Sequence, residues 1–357
     1  MRSEGNLATL SGSIDAVVGI SLLTLSPGRM GGSERYARGL TTALGRHGRH
    51  EYVVALPPDV PDAAGGLPLV TAGAPSTSMR PRAFAQAALA RRVFDGSTVV
   101  HYPLTVPLPY SRHPRIVTLH DVLHRDLPAL VPRHVRAFRA LAYDLAARRA
   151  DRVIVPSAFV RERAIVRLGL DRERVHVVPH GVDHDLFHPD DRPREPFLLY
   201  PARRWPHKNH AFLFGAFAEL RRDRPDLELV LTGEPDAGGL PNGVRSLGYV
   251  SAAELAELYR RAAALVFPSR YEGFGWPVLE AMASGCPVAA ASGTAVEEVA
   301  SDAAVFFDPD SATDAVVAIK HALTNAADLG ARGIERASTF TWERVAQQHD
   351  EVYGDLG

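Results

Sequence analysis

The sequence predicts two α/β domains, each a doubly wound parallel sheet, with a ligand-binding cleft between them. Three observations carry this. Short apolar runs alternate with amphipathic helical patterns along the 357 residues. The alternation occurs twice, on either side of the proline- and charge-rich segment His188-Pro189-Asp190-Asp191-Arg192-Pro193-Arg194-Glu195-Pro196. The residues able to do chemistry follow strand-like runs, and open parallel sheets bind ligands beyond the carboxyl ends of their strands.

Residues 1–15 are polar and rich in glycine and serine, and are expected to fray. The first buried strand is expected at 16–23, with further strands at 52–56, 98–102, 116–119, 153–155 and 175–178. Helical patterns fall at 34–45, 83–94, 133–150 and 158–168. The second series begins at 197–200 and continues through 227–231, 264–267, 288–290 and 305–306, again with helices between. The expected organisation is a first domain at 1–188, a linker at 189–196, a second domain at 197–340 and a last segment at 341–357. That last segment is expected to be helical at 342–353.

Bulk properties exclude several classes. Hydrophobic content of 46% and charged content of 23% are ordinary for a globular protein. A net charge of −1 gives no global field for nucleic acid, so no nucleic-acid partner is expected. The single Cys286 rules out an internal disulfide and suits a reducing compartment. Met1-Arg2-Ser3-Glu4-Gly5-Asn6 lacks the regions of a signal peptide, and no apolar run reaches the roughly 20 residues of a membrane span. The expected location is cytoplasmic, with a peripheral position at the inner membrane face as an extension of that reading.

The most informative stretch is Glu272-Gly273-Phe274-Gly275-Trp276-Pro277-Val278-Leu279-Glu280. It follows the apolar run Ala264-Leu265-Val266-Phe267 and reads as strand, glycine-rich turn, then a helix with proline at its first position. Such a helix start offers unpaired N–H groups and partial positive charge to a phosphate. The two glycines let backbone approach a ligand closely. Glu280 is expected in the first helical turn and Glu272 before the turn, both facing one crevice. A carboxylate can grip the vicinal diol of a ribose or a hexose. The whole reads as a site for sugar, diphosphate and sugar, a nucleotide-sugar.

This stretch resembles the E-x7-E signature of the retaining glycosyltransferases of the GT4 family, which have the GT-B architecture of two Rossmann-like domains. The following Ala281-Met282-Ala283-Ser284-Gly285-Cys286-Pro287-Val288 continues that family's pattern. The resemblance covers nearly the whole chain and implies roles for further residues. The loop Pro201-Ala202-Arg203-Arg204-Trp205-Pro206-His207-Lys208-Asn209-His210 resembles the one whose Arg and Lys clamp the donor diphosphate, which assigns those roles to Arg203 and Lys208. Glycine often stands where Ala202 does and spacing here varies, so Arg204 remains a rival to Arg203. Gly31 and Gly32, with Ser33 and Glu34, resemble the glycine-rich loop beside the donor phosphates and acceptor. Thr118-Leu119-His120-Asp121 resembles the motif whose His lies beside the donor sugar; Asp121 could orient that imidazole or cap the next turn. Gly233, in Leu231-Thr232-Gly233-Glu234, and Tyr249 with Val250, in Ser246-Leu247-Gly248-Tyr249-Val250, fall in regions that border base and ribose in the family. The helix at 342–353 resembles the GT-B segment that returns to the first domain.

Asp183-His184-Asp185 and Asp308-Pro309-Asp310 match the D-x-D pattern that another transferase architecture uses to hold a divalent cation. Both lie in turn-like contexts, and His180, His184 and His188 are interrupted by Gly181 and Pro189, so no metal site is expected. Arg133, Arg136, Arg139, Arg148, Arg149 and Arg152 punctuate a helix with apolar Val135, Phe138, Leu141 and Leu145, and Arg80, Arg82, Arg91 and Arg92 flank another. Such a helix either faces the core with a solvated side or lies on an anionic membrane.

The expected function is metal-free transfer of a hexose, with retention, from a nucleotide-sugar to a hydroxyl of a glycan, lipid-linked sugar or small molecule. Glu272 would hold the donor sugar and Glu280 the ribose. Arg203, Lys208 and the Phe274-Gly275 backbone would stabilise the leaving diphosphate, with Gly273 also at the donor, and His120 would sit beside the donor sugar and reacting centre. No cofactor beyond the donor is implied, with GDP-mannose favoured from the look of Tyr200–His210 and His101-Tyr102-Pro103. A glycan phosphorylase or a non-catalytic nucleotide-sugar-binding regulator are the rival readings.

Overall fold

Seven strands from the first half of the chain line up in the order β3-β2-β1-β4-β5-β6-β7, every pair parallel. They are β1 (Val17–Ser21), β2 (Glu51–Leu56), β3 (Leu69–Thr71), β4 (Val99–Tyr102), β5 (Arg115–Thr118), β6 (Arg152–Val155) and β7 (Val175–Val177). A second, six-stranded parallel sheet has the order β10-β9-β8-β11-β12-β13. It comprises β8 (Glu195–Pro201), β9 (Glu228–Thr232), β10 (Val244–Ser246), β11 (Ala262–Phe267), β12 (Val288–Ala291) and β13 (Val305–Phe307). The computed structural model describes residues 16–77, 80–233 and 238–356. Expectations for residues 1–15 and for Glu234 lie outside the described residues, as do the side chains of Arg80, Arg82 and Arg91.

The strand sequences explain the topology. Val-Val-Gly-Ile in β1 and Ala-Ala-Ala-Leu-Val-Phe in β11 are near-continuous apolar runs, as strands covered on both faces by helices require. Their helices carry local stop and start signals. Ser251 and Glu254 form a reciprocal capping box ahead of the Ala252–Arg261 helix. Ser157 caps the Ala158–Leu168 helix and Gly169, left-handed at φ 66°, ends it. Where a strand range was expected, its boundaries agree to within two residues, whereas the three-residue β3 and β10 have no range in the expected series.

Two expected boundaries change. The last two residues of the expected linker, Glu195 and Pro196, open β8. The linker is also fastened to the second domain rather than slack. Arg194 donates to the carbonyls of Tyr259 at 3.0 Å and Ala262 at 2.9 Å, and Arg192 pairs with Asp190 and Glu257. The basic helix expected at 133–150 is interrupted by a π-helical turn, Ala140–Asp144, between Arg133–Arg139 and Leu145–Arg149. Two of its apolar positions face outward: Phe138 is 43% and Leu141 73% exposed.

The closing helix, Trp342–Gly354, leaves the second domain and packs against the first helix, Gly32–His47. The contact is polar as well as apolar. His349 Nε2 lies 2.7 Å from the Tyr36 hydroxyl, which is 2.9 Å from Thr118 Oγ1. His101 bridges Thr118 at 2.8 Å and the Tyr353 hydroxyl at 2.8 Å. All five groups are buried, so each needs these partners. Burial holds the His101 imidazole well below its ordinary value and brings His349 down to about 4.

Candidate functional site

The ends of β1, β5, β8 and β11 deliver four segments to one cleft, as doubly wound sheets do. The cleft holds a cavity of about 580 Å³ lined by Gly31, Gly32, His120, Lys208, Val250, Glu272, Gly273, Phe274 and Gly275, among others. Nine of the expected site residues therefore meet around one space. Four do not line it: Arg203, Gly233, Tyr249 and Glu280.

Glu272 and Lys208 form the core of the cavity wall. Lys208 Nζ donates to Glu272 Oε1 at 2.6 Å, with both side chains mostly buried. A short 3-10 turn, Pro206–Lys208, and Asn209 with φ 58° place the ammonium there, and the Lys208 carbonyl accepts from the Tyr200 hydroxyl at 2.6 Å. The pair presents a cation and a carboxylate side by side, suited to an anion joined to a polyol.

Gly275 N-caps the Trp276–Ala283 helix at φ 101°, a conformation that only glycine adopts readily. Pro277 is the second helical residue rather than the first, and Glu280 lies one turn further in than expected. Glu280 is 2% exposed; one oxygen accepts from the Tyr259 hydroxyl at 3.1 Å and the other pairs with Arg35 from the first domain. Burial pushes the Tyr259 phenol well above its ordinary value, so it stays protonated and donates. Glu280 opens on a neighbouring cavity of about 990 Å³, with Arg35 and Trp276 in the wall common to both.

Gly273 is required for a different reason. A Cβ there would meet the His120 carbonyl oxygen at 2.2 Å, so the loop and the end of β5 touch backbone to backbone across the cleft. The Gly273 carbonyl also accepts from Ser157 Oγ at 2.8 Å. Glu298 reaches from the second domain to the amides of Ala158 at 2.9 Å and Phe159 at 3.1 Å, the N-terminus of a first-domain helix.

His120 donates Nε2–H to the Pro103 carbonyl at 2.9 Å, which leaves Nδ1 as the acceptor nitrogen. Burial holds the ring below its ordinary value, so it is neutral near pH 7. Pro103, not Asp121, orients it. Asp121 instead caps the next turn through the Leu123 amide at 2.9 Å and pairs with Arg139 at 2.9 Å. Arg203 donates to the Gly28 carbonyl at 3.1 Å and lies over Trp205 and Tyr249, so it ties the two domains together beside the cavity. Arg204 does not line the cavity either.

Of the cavity residues that escaped the sequence reading of the site, three bear on its chemistry. Arg139, counted among the basic helix residues, lines the cavity through its pair with Asp121. His180 lies against Tyr36, Phe274 and Trp276, and its buried Nδ1 has no partner among the described residues. Arg35 follows Glu34 in the first turn of a helix starting at the cleft, and that position was the available signal. Among the described residues, no group of three or more His, Cys, Asp or Glu is arranged to hold a metal. The D-x-D carboxylates are used in turns: Asp183 accepts from the Asp185 amide at 3.1 Å and Asp308 from the Asp310 amide at 2.9 Å. No helix among them is long and apolar enough to cross a membrane.

Comparison with known proteins places this geometry. The chain is 28% identical over 280 residues to the O-antigen chain mannosyltransferase B of Escherichia coli, an alignment covering 69% of this chain and 71% of that protein. It is 31% identical over 224 residues to the MMP alpha-(1->4)-mannosyltransferase of Mycolicibacterium hassiacum, covering 58% of this chain and 54% of that protein. Among solved structures, the sucrose-phosphate synthase of Thermosynechococcus elongatus superposes with a TM-score of 0.75 at 23% identity, covering 95% of this chain and 98% of that one. Residues 30–186 match the family described as Glycosyltransferase Family 4, and residues 185–339 match the glycosyl transferases group 1. With both halves matched in chain order and both Rossmann-like sheets in place, the chain belongs to the GT4 glycosyltransferases of GT-B architecture.

Proposed function

We propose that this chain is a metal-independent, retaining hexosyltransferase that moves a hexose, mannose by preference, from a nucleoside diphosphate sugar to a hydroxyl of a glycan, lipid-linked sugar or small molecule. The observation that carries this is the single cavity where Lys208 and Glu272, 2.6 Å apart, face His120, Gly31 and the Gly273–Gly275 turn. GDP-mannose is the leading donor, supported by the two mannosyltransferase relatives. In this reading residues 1–188 bind the acceptor and 197–340 the donor.

Glu272 holds hydroxyls of the donor hexose. Lys208 and the N-terminus of the Trp276–Ala283 helix stabilise the diphosphate as the bond from C1 to its oxygen breaks. The acceptor oxygen bonds to C1 on the same face, and its proton passes to the departing phosphate. Neutral His120 accepts from a sugar hydroxyl through Nδ1. Arg203 acts from beside the cavity, by holding the domains together at Gly28. Phe138 and Leu141, exposed between arginines, support peripheral contact with an anionic inner membrane face.

The test is donor consumption and transfer with GDP-mannose and a panel of UDP-hexoses, with and without excess EDTA. The proposal expects GDP-mannose turnover that EDTA changes by less than about twofold. Turnover restored only by Mg²⁺ or Mn²⁺ would overturn the metal-free reading, and inverted product stereochemistry the retaining one. Tight nucleotide-sugar binding with no hydrolysis or transfer to any acceptor would favour a regulator.

A further inference from the structure

Glu280 is assigned to the donor ribose, yet in this structure each of its oxygens already has a partner. Tyr259 takes one and Arg35 the other, and the carboxylate is 2% exposed. Tyr259 belongs to the same domain and is fully buried, so it cannot leave without disturbing the core. Arg35 belongs to the opposite domain and is half-buried, so it is the partner that can move.

We infer that Arg35 is a donor-binding residue with two positions: on Glu280 when the site is empty, and on the donor diphosphate once ribose has taken Glu280. This rests on the reading of Glu280 as the ribose holder. Arg35 already stands where the exchange would occur. With Trp276 it lines both the cavity of Lys208 and Glu272 and the cavity of Glu280. Its guanidinium carbon lies 4.9 Å from the Trp276 ring and 5.5 Å from that of Phe187, a cation–π shelf on which it can pivot. Trp276 is the first residue of the helix whose N-terminus draws phosphate, so a diphosphate there lies beside the same shelf. The Trp276 indole N–H is buried with no acceptor among the described residues and is a second unused donor at this point.

The exchange leaves both groups partnered. Ribose hydroxyls replace a guanidinium on Glu280, and phosphate oxygens replace a carboxylate on Arg35. A nucleoside without phosphates brings only half of this: it would displace Arg35 and leave a half-buried cation unpaired. Arg35 therefore rejects nucleosides and favours their diphosphates, whereas Lys208, paired with Glu272 rather than Glu280, is not displaced by a ribose on Glu280.

The experiment is calorimetric titration of the full chain with GDP, guanosine, UDP and uridine. The variants are Arg35→Met, which keeps the stem on Trp276, and Glu280→Gln. Arg35→Met is expected to bind the nucleoside at least about threefold tighter and its diphosphate about tenfold or more weaker, the lower range for a lost charge-assisted hydrogen bond. Affinities that move in the same direction, or do not move, overturn the inference and leave Arg35 a structural tie. Should Arg35→Met fail to fold, Arg35→Lys is expected to give the same opposite signs at smaller size, because an ammonium lacks the planar fork. Glu280→Gln separates the two readings: it should weaken guanosine or uridine, and unchanged nucleoside affinity would remove the ribose assignment itself. Wild-type protein that binds neither diphosphate would overturn the proposed function and this inference with it.

Discussion

Replacing Gly273 by alanine tests whether the cleft reacts in the closed form described above. The added Cβ would meet the His120 carbonyl oxygen at 2.2 Å, whereas ordinary contact begins at 3.4 Å. The two surfaces must part by about 1.2 Å. Neither side yields easily: His120 follows β5 directly, and the Gly273 carbonyl is held by Ser157 at 2.8 Å. Gly273 is not in the left-handed region, so the cost of alanine is steric rather than conformational. Parting the surfaces carries His120 away from Glu272, across the cavity proposed to hold the donor sugar. A misplacement of about 1 Å can cost on the order of 100-fold in rate. The expected outcome is a fall of about 100-fold in kcat/KM for transfer. Nucleoside diphosphate affinity should change by less than about threefold, because the proposed donor site lies mostly in the second domain. Steady-state transfer and calorimetric titration read the two effects separately. Turnover within about threefold of wild type would show that this backbone contact is not part of the reacting state.

Further predictions concern charge, proton uptake and surface. Lys208→Ala should lower kcat as well as kcat/KM by about 100-fold, as removal of one preorganised charge stabiliser does; near-normal kcat in steady-state assays would reduce Lys208 to a surface charge. Burial keeps His349 neutral down to about 4, while the unfolded chain takes up its proton near 6.5. The stability from this group is whole above pH 6.5 and falls, by up to about 1.4 kcal/mol per pH unit, as pH drops towards about 4. Thermal unfolding across that range should show the slope and His349→Gln a shallower one; a flat Tm refutes it. The Cys286 thiol, buried and pushed up to about 11, should resist a disulfide reagent at pH 8 until denaturant is added, and rapid native labelling would contradict the packing. Phe138→Ser with Leu141→Ser should weaken co-sedimentation with anionic vesicles; equal binding by wild type and variant would exclude this face.

The architecture was legible because its strands are covered on both sides. Val-Val-Gly-Ile in β1 and Ala-Leu-Val-Phe in β11 stand out from the polar helices between them, and the second series begins anew after Arg192 and Pro193. The short edge strand β3 was not, since Leu69, Val70 and Thr71 are all exposed and leave no burial signal. The Gly273–Gly275 turn, Glu272, Lys208 and His120 could be found because each follows a strand and carries a chemically distinctive group. What failed was inference about partners. Nothing in Thr118-Leu119-His120-Asp121 tells that the His120 donor reaches Pro103 while Asp121 turns to Arg139. Arg203 sits in a cationic loop with Lys208, yet its reach ends at Gly28, 175 residues earlier in the chain. Such pairings depend on how two domains meet, which no local pattern records.

The closing helix has a consequence for how the protein is made. Tyr36, His101 and Thr118 lie in the first 120 residues, but their buried partners His349 and Tyr353 are translated only after the second domain. Until then the positions that the closing helix will cover can be met by water, which the helix displaces when it seats. This polar contact is therefore completed only after the second domain has been synthesised. A chain severed between the two halves would lose this buried network as well as the cleft.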